Sequence, residues 1–137
     1  MSAKVIICFQ SVLKGQHVGL NQTPGNVLEM KREEGNSYDR FAVLAQSGGR
    51  IVGRVPIQFS RLFSKIIEEY HGQITCEITA SAEPSTVPYA KRWQRSGGLQ
   101  CPCIYRIELD SHLCEIATKD MQDAVESAGM NGHVQIF

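Results

Sequence analysis

Apolar and polar residues recur along this chain with two different periods, and the switches between them mark out the elements. Residues 3–11 (AKVIICFQS) are β-branched and apolar and read as a first strand. Residues 12–25 carry three glycines and a proline and read as loop or irregular strand. In residues 26–32 (NVLEMKR), Val27, Glu29 and Lys31 fall on one face and Leu28 and Met30 on the other, a strand pattern. A polar turn, EEGNSYD, follows. FAVLAQ, an SGG turn and RIVGRV then form the clearest hairpin signal, because a glycine pair can take the positive φ that tight hairpin loops require. Pairing residues 41–46 with 50–55 would return Arg54 to the neighbourhood of Arg40 and Phe41.

After Pro56 the period changes. Phe59, Leu62, Phe63, Ile66, Ile67 and Tyr70 follow i, i+3, i+4, i+7 spacing, which predicts an amphipathic helix over 57–71 with its apolar stripe buried and Gly72 as its stop. Residues 73–82 read as a strand, 83–98 as a long polar loop, and 99–109 as a last strand whose Pro102 suits its start or an edge. Residues 118–128 predict a short helix capped by Thr118 and stopped by Gly129, and HVQIF predicts a strand or a packed tail. The fold class expected is mainly β with one central helix (α+β): a small OB-like β-barrel of five or six strands with a short C-terminal helical tail. The barrel would span 1–110 and the acidic tail 111–137. A helix-covered antiparallel sheet is the competing architecture.

With 137 residues the chain suits one domain. It has no apolar run near the roughly 18–20 residues that span a bilayer, and residues 3–9 are too short for a secretory signal. The expectation is an intracellular protein with no membrane partner; the starting Met and the extra tail suggest a complete small protein. Five cysteines, an odd number, argue against a disulfide framework. Cys8, Cys76 and Cys103 lie in strand-like runs and read as buried small hydrophobes. A zinc site from Cys101, Cys103, His112 and Cys114 is the sharper alternative, but CxC lacks the knuckle geometry of CxxC, so neither metal nor cofactor is expected.

Equal numbers of basic and acidic residues, 14 each, hide an asymmetry. Residues 31–66 hold seven basic side chains against three acidic ones; residues 86–106 hold four and none; residues 107–129 hold one against six. A basic middle can bind a polyanion locally, and an acidic tail after it can lie across the same face and compete. In YAKRWQR, Tyr89 and Trp93 are interleaved with Lys91, Arg92 and Arg95, so that aromatic faces could stack bases while cations hold phosphates. A Trp packed on the barrel with solvated cations is the alternative.

The segment KREEGNSYDRFAV, followed by GGRIVGRVP and the helix, resembles the HIRAN domain. The shared features are a strand ending in Arg-acid, an Asn-x-Tyr-Asp turn, an Ala-Val strand, a glycine hairpin, and Val-Gly plus a basic residue before a helix. The ITCEIT and GGLQCPCIY strands fit as well, and the resemblance covers roughly residues 5–108. Its most specific part is Asn36-Ser37-Tyr38-Asp39 with Val52-Gly53-Arg54. The resemblance implies a modified oligonucleotide-binding barrel that takes the free 3′ end of single-stranded DNA in a pocket. Tyr38 would stack on the terminal base, Asp39 would accept a hydrogen bond from the 3′-hydroxyl, and Arg54 would face the DNA. Arg40, Arg92, Trp93 and His17 complete the expected interface. Departures from the family pattern are Ser37 where Pro is common, no Arg-aromatic pair around His17, and Ile57 and Gln58 where a basic residue is common.

The expected function is therefore a non-enzymatic nucleic-acid-binding module, with single-stranded DNA as partner and a nuclear location. A protein-interaction module on the same barrel, having lost its grip on DNA, is the alternative. No GxGxxG, P-loop or HExxH motif is present, and Cys114 with His112 lacks a third orienting group, so an enzyme is not expected. Tyr38 and Asp39 also have a plain structural reading, as a partly buried barrel residue and a turn cap.

Overall fold

The computed structural model describes residues 3–15, 23–84 and 99–137. Six antiparallel strands close a barrel: β1 (Lys4–Gly15), β2 (Val27–Arg32), β3 (Val43–Ser47), β4 (Arg50–Arg54), β5 (Gln73–Ile78) and β7 (Leu99–Asp110). The order around the barrel is β7-β5-β2-β3-β4-β1, returning to β7. Two short strands flank it, β6 (Glu83–Pro84) on β7 and β8 (Gln135–Ile136) on β1. The chain is thus mainly β and OB-like, as the periodicity predicts.

β1 runs four residues further than its apolar run suggested. All of it pairs with β7, from Lys4 opposite Asp110 to Gly15 opposite Leu99, so the ladder carries the strand through the less apolar segment. Inward-facing Ile7 and Phe9 leave Cys8 on the outer face, half-buried beside Arg106, rather than in the core. Cys76, Cys101 and Cys103 are buried inside, and all five cysteines are free. His112 and Cys114 lie beyond the end of β7, and no group of three or more metal-binding side chains converges among the described residues.

The hairpin loop is the two-residue Gly48–Gly49, both with positive φ (58° and 80°), and Ser47 pairs with Arg50. Farther along, the register shifts between Ala45 and Gln46, which face Gly53 and Ile51, so Val52 is the extra residue of a bulge. Arg54 therefore pairs with Leu44 and not with the segment beside Arg40 and Phe41, two positions from the register expected.

Helix α1 (Ile57–Glu68) buries Phe59, Leu62, Phe63 and Ile66 of its predicted stripe, with Ile67 and, beyond the helix end, Tyr70 only half-buried, and plugs the barrel. Phe9 meets Phe59 and Phe63 edge-on at 5.2 and 5.4 Å between ring centres, and Phe63 meets Tyr105 at 4.9 Å. The helix stops three residues early. His71, at φ 54°, takes the left-handed position expected of Gly72, whose N–H closes on the Ile66 carbonyl at 2.9 Å.

The second helix, α2 (Cys114–Ser127), begins four residues before the predicted Thr118 and follows a 3₁₀ turn over Ser111–Leu113. No side chain caps it. Its start is set by packing: Ala117, Met121 and Val125, at i, i+4 and i+8, are buried, and α2 lies against α1. Gly129 ends it at φ 69°, as expected. Met130 and Val134 are also buried, and Phe137 exchanges backbone hydrogen bonds with Cys8 at 2.7 and 2.8 Å. Residues 111–137 therefore share one core with the barrel. Among the described residues no helix is long and apolar enough to cross a membrane.

Candidate nucleic-acid interface

The loop between β2 and β3 is short, polar and tied at both ends. Across its base the Glu33 N–H donates to the Ala42 carbonyl at 2.9 Å. Inside it, the Asn36 side-chain oxygen accepts from the N–H groups of Tyr38 and Asp39 at 2.8 and 3.0 Å. This is the local bonding for which Asn is favoured in turns. Asp39 repeats the device: Oδ1 accepts from the Phe41 N–H at 3.0 Å, which holds Phe41 outside β3. Asp39 thus has the turn-capping role, and Oδ2 has no partner among the described residues.

Two neighbouring residues at the end of β2 brace this loop, and sequence reasoning did not assign either to the site. The Glu33 carboxylate accepts from Asn36 Nδ2 at 2.9 Å and takes a two-pronged bond from Arg54, Nε to Oε1 and Nη2 to Oε2, both 2.7 Å. Arg32 grips the other side, donating to the carbonyls of Arg40 (2.8 Å) and Ala42 (2.6 Å), while its Nε pairs with Glu68 of α1 at 2.9 Å. The available signal was the Arg-Glu pair ending the strand. Its meaning required knowing that the loop folds back over that strand end.

The Arg54–Glu33 pair is only partly exposed, 30% and 17% for the two side chains, so it is less screened than a surface pair. Hydrogen bonding from Arg54 pulls the Glu33 carboxyl below its ordinary range, against the opposing effect of burial, with Asn36 adding to the lowering. The same pairing raises Arg54. Arg54 reaches the Tyr38–Asp39 turn through Glu33 and Asn36, and its charge is matched by the Glu33 carboxylate.

The loop projects an aromatic and a cation, and α1 adds a second cation beside them. Tyr38 is 91% exposed, so it is not the partly buried barrel residue of the structural reading. Arg40 and Arg61 of α1 are exposed, and their guanidinium carbons lie 4.7 and 5.6 Å from the centre of the Phe41 ring, within cation–π range. Phe41 and Arg61 were not among the expected site residues; both join the site through tertiary packing. His17, Arg92 and Trp93, with Tyr89, Lys91 and Arg95, lie outside the described residues. Of the other cations in the basic middle, Lys65 pairs with Asp120 of α2 at 3.2 Å; Arg106, of the second basic segment, pairs with Glu77 at 2.9 Å.

No family model matches the sequence, and no curated protein matches it. Solved structures do. The crystal structure of the HIRAN domain of human HLTF superposes with a TM-score of 0.58 at 14% identity, over 85% of this chain and 92% of that one. The NMR structure of the same domain in its DNA-bound conformation gives 0.58 and 14%, over 92% of each chain. A protein from Lactobacillus plantarum gives 0.51 and 12%, over 77% of this chain and 99% of that one. At such low identity the likeness is one of backbone, and it agrees with the Asn-x-Tyr-Asp turn, glycine hairpin and Val-Gly-Arg strand in their chain order: the protein has a HIRAN-like fold.

Proposed function

We propose that this chain is a non-enzymatic module that binds single-stranded DNA on the face made by Tyr38, Asp39, Arg40, Phe41 and Arg61, with a free 3′ end seated at Tyr38–Asp39. The observation that carries this reading is the exposed Tyr38 on a turn that Asn36, Glu33 and Arg32 hold in place. A large aromatic left in water on a braced turn costs little further ordering when a base stacks on it. Arg40 and Arg61 supply charge for phosphates, and Asp39 Oδ2, without a partner among the described residues, can accept from a 3′-hydroxyl while repelling a 3′-phosphate. The DNA-bound HIRAN domain of HLTF, similar in fold, supports nucleic acid as the ligand class.

The test is fluorescence anisotropy with short oligonucleotides ending in a 3′-hydroxyl or a 3′-phosphate, at two salt concentrations. Binding should weaken steeply with salt. Tyr38→Ala removes a stacked base, about 1–3 kcal/mol, and should weaken binding roughly 5- to 150-fold. Asp39→Asn keeps a side-chain acceptor for the Phe41 N–H and should erase the preference for the hydroxyl end. Equal affinity of the unmutated protein for both ends would remove the 3′-end reading. Absence of salt-sensitive binding altogether would favour a protein-interaction module on this barrel.

A further inference from the structure

A groove of about 460 Å³ runs between α1 and α2. Leu62 and Ala124 contribute apolar lining, Ser127 a hydroxyl, and Arg61, Lys65 and Asp120 the charges. Arg61 also borders the Phe41 ring, so the groove begins where the loop face ends. Arg61 and Lys65 are one helical turn apart on α1, about 6 Å along its axis. Lys65 is the only one of these cations bound to an acid: Asp120 Oδ2 lies 3.2 Å from its Nζ and also accepts from the Tyr70 hydroxyl at 2.5 Å. Asp120 is brought there by the packing of Ala117, Met121 and Val125 in the core.

We infer that the α1–α2 groove is a second subsite for the same single strand, in which Arg61 and Lys65 take successive backbone phosphates and Asp120 is a built-in competitor for Lys65. The inference rests on the function proposed above and extends it beyond the terminal nucleotide. The occupant follows from continuity and charge. The groove opens from the face that holds the first nucleotide, and its net positive pair with an apolar floor suits a sugar–phosphate backbone rather than an acidic or purely apolar ligand. A phosphate entering the groove must replace the Asp120 carboxylate at the Lys65 ammonium. Binding of the longer strand is therefore held below what the cations alone would give.

The experiment compares 5′-labelled oligothymidylates with free 3′ ends, one of about two nucleotides and one of about ten, the longer being within the usual reach of such barrels. Asp120→Asn should tighten the longer oligonucleotide about threefold to tenfold at low salt, the gain of roughly one phosphate contact. It should leave the shorter one unchanged. Lys65→Gln should loosen only the longer one, lower its salt slope by about one unit, and abolish the effect of Asp120→Asn in the double variant. Thermal melting of each variant checks that the α1–α2 packing is retained. If both lengths bind the unmutated protein and Asp120→Asn shifts them equally or not at all, the groove subsite is overturned while the loop face stands. If neither length binds, the loop-face function fails and the subsite falls with it.

Discussion

The Arg54 guanidinium meets the Glu33 carboxylate at 2.7 Å through both prongs. Its role is to hold Glu33, which holds Asn36, which holds the Tyr38 and Asp39 amides. Arg54→Ala should therefore weaken oligonucleotide binding with little change in salt slope, since the lost cation was already matched. It also leaves Glu33 as a bare negative charge beside the site. Replacing Glu33 by Gln should recover part of the affinity in that background and weaken binding in the parent, where the charged pair still braces the turn, so that the two substitutions couple in a double-mutant cycle. The same pair sets a pH dependence. Because folding lowers the Glu33 carboxyl, its contribution is fully present above the ordinary glutamate range, about 4.3, and is lost as pH falls through the lowered value. Protection factors of the Tyr38 and Asp39 amides, each referred to its own intrinsic exchange rate at that pH, should fall on acidification below the ordinary glutamate range, and Glu33→Gln should abolish that step.

At the scale of elements, two positions separate burial from closure. Phe63 is fully buried in the ring cluster with Phe9 and Tyr105, and Phe63→Ala should cost roughly 3–5 kcal/mol of stability in a denaturant melt. A mutant melting like the parent would contradict its burial. Gly53 lies where β4 meets β1, which among the described residues pair at Lys14 and Arg54. A Cβ there would sit 2.6 Å from the Lys14 carbonyl oxygen and 2.9 Å from Leu13 Cγ, so something must shift. Gly53→Ala should open the β1–β4 seam and reduce amide protection in both strands, with less loss of global stability than Phe63→Ala. The β periods, the glycine hairpin and the α1 stripe were legible because each is local. The β4 bulge, the early start of α2 and the left-handed His71 were not. Each is decided by a neighbour: β3 register, the apolar face of α1, and the close packing of Gly72 against Ile66.

For the whole molecule, residues 111–137 cannot act as a detachable acidic flap. Met121 and Met130 are fully buried, Val125 and Val134 nearly so, and β8 completes one side of β1. Deleting the segment should expose α1 and unfold or aggregate the barrel rather than tighten DNA binding. Met121→Ala alone should cost about 2–5 kcal/mol. Thermal denaturation of the truncation checks this: a cooperative melt near that of the full chain would show the barrel self-sufficient. Among the described residues, the ion pair between the tail and the basic middle is that of Asp120 with Lys65.

What the sequence by itself determined is whatever repeats along the chain or turns within a few residues. The strand and helix periods, the Gly48–Gly49 loop and the Asn36–Asp39 turn are all of that kind. These depend on side-chain alternation and backbone preference, which a linear string records. What only the tertiary structure decided is which charges remain unspent. Arg54, Arg32 and Lys65 stand in the sequence as equivalent cations beside Arg40 and Arg61. Folding brings Glu33, Glu68 and Asp120 onto the first three and the Phe41 ring beneath the last two. Charge pairing falls off over a few ångströms and is blind to distance along the chain, so a count of basic residues could locate a basic region but not which of its cations meet a carboxylate.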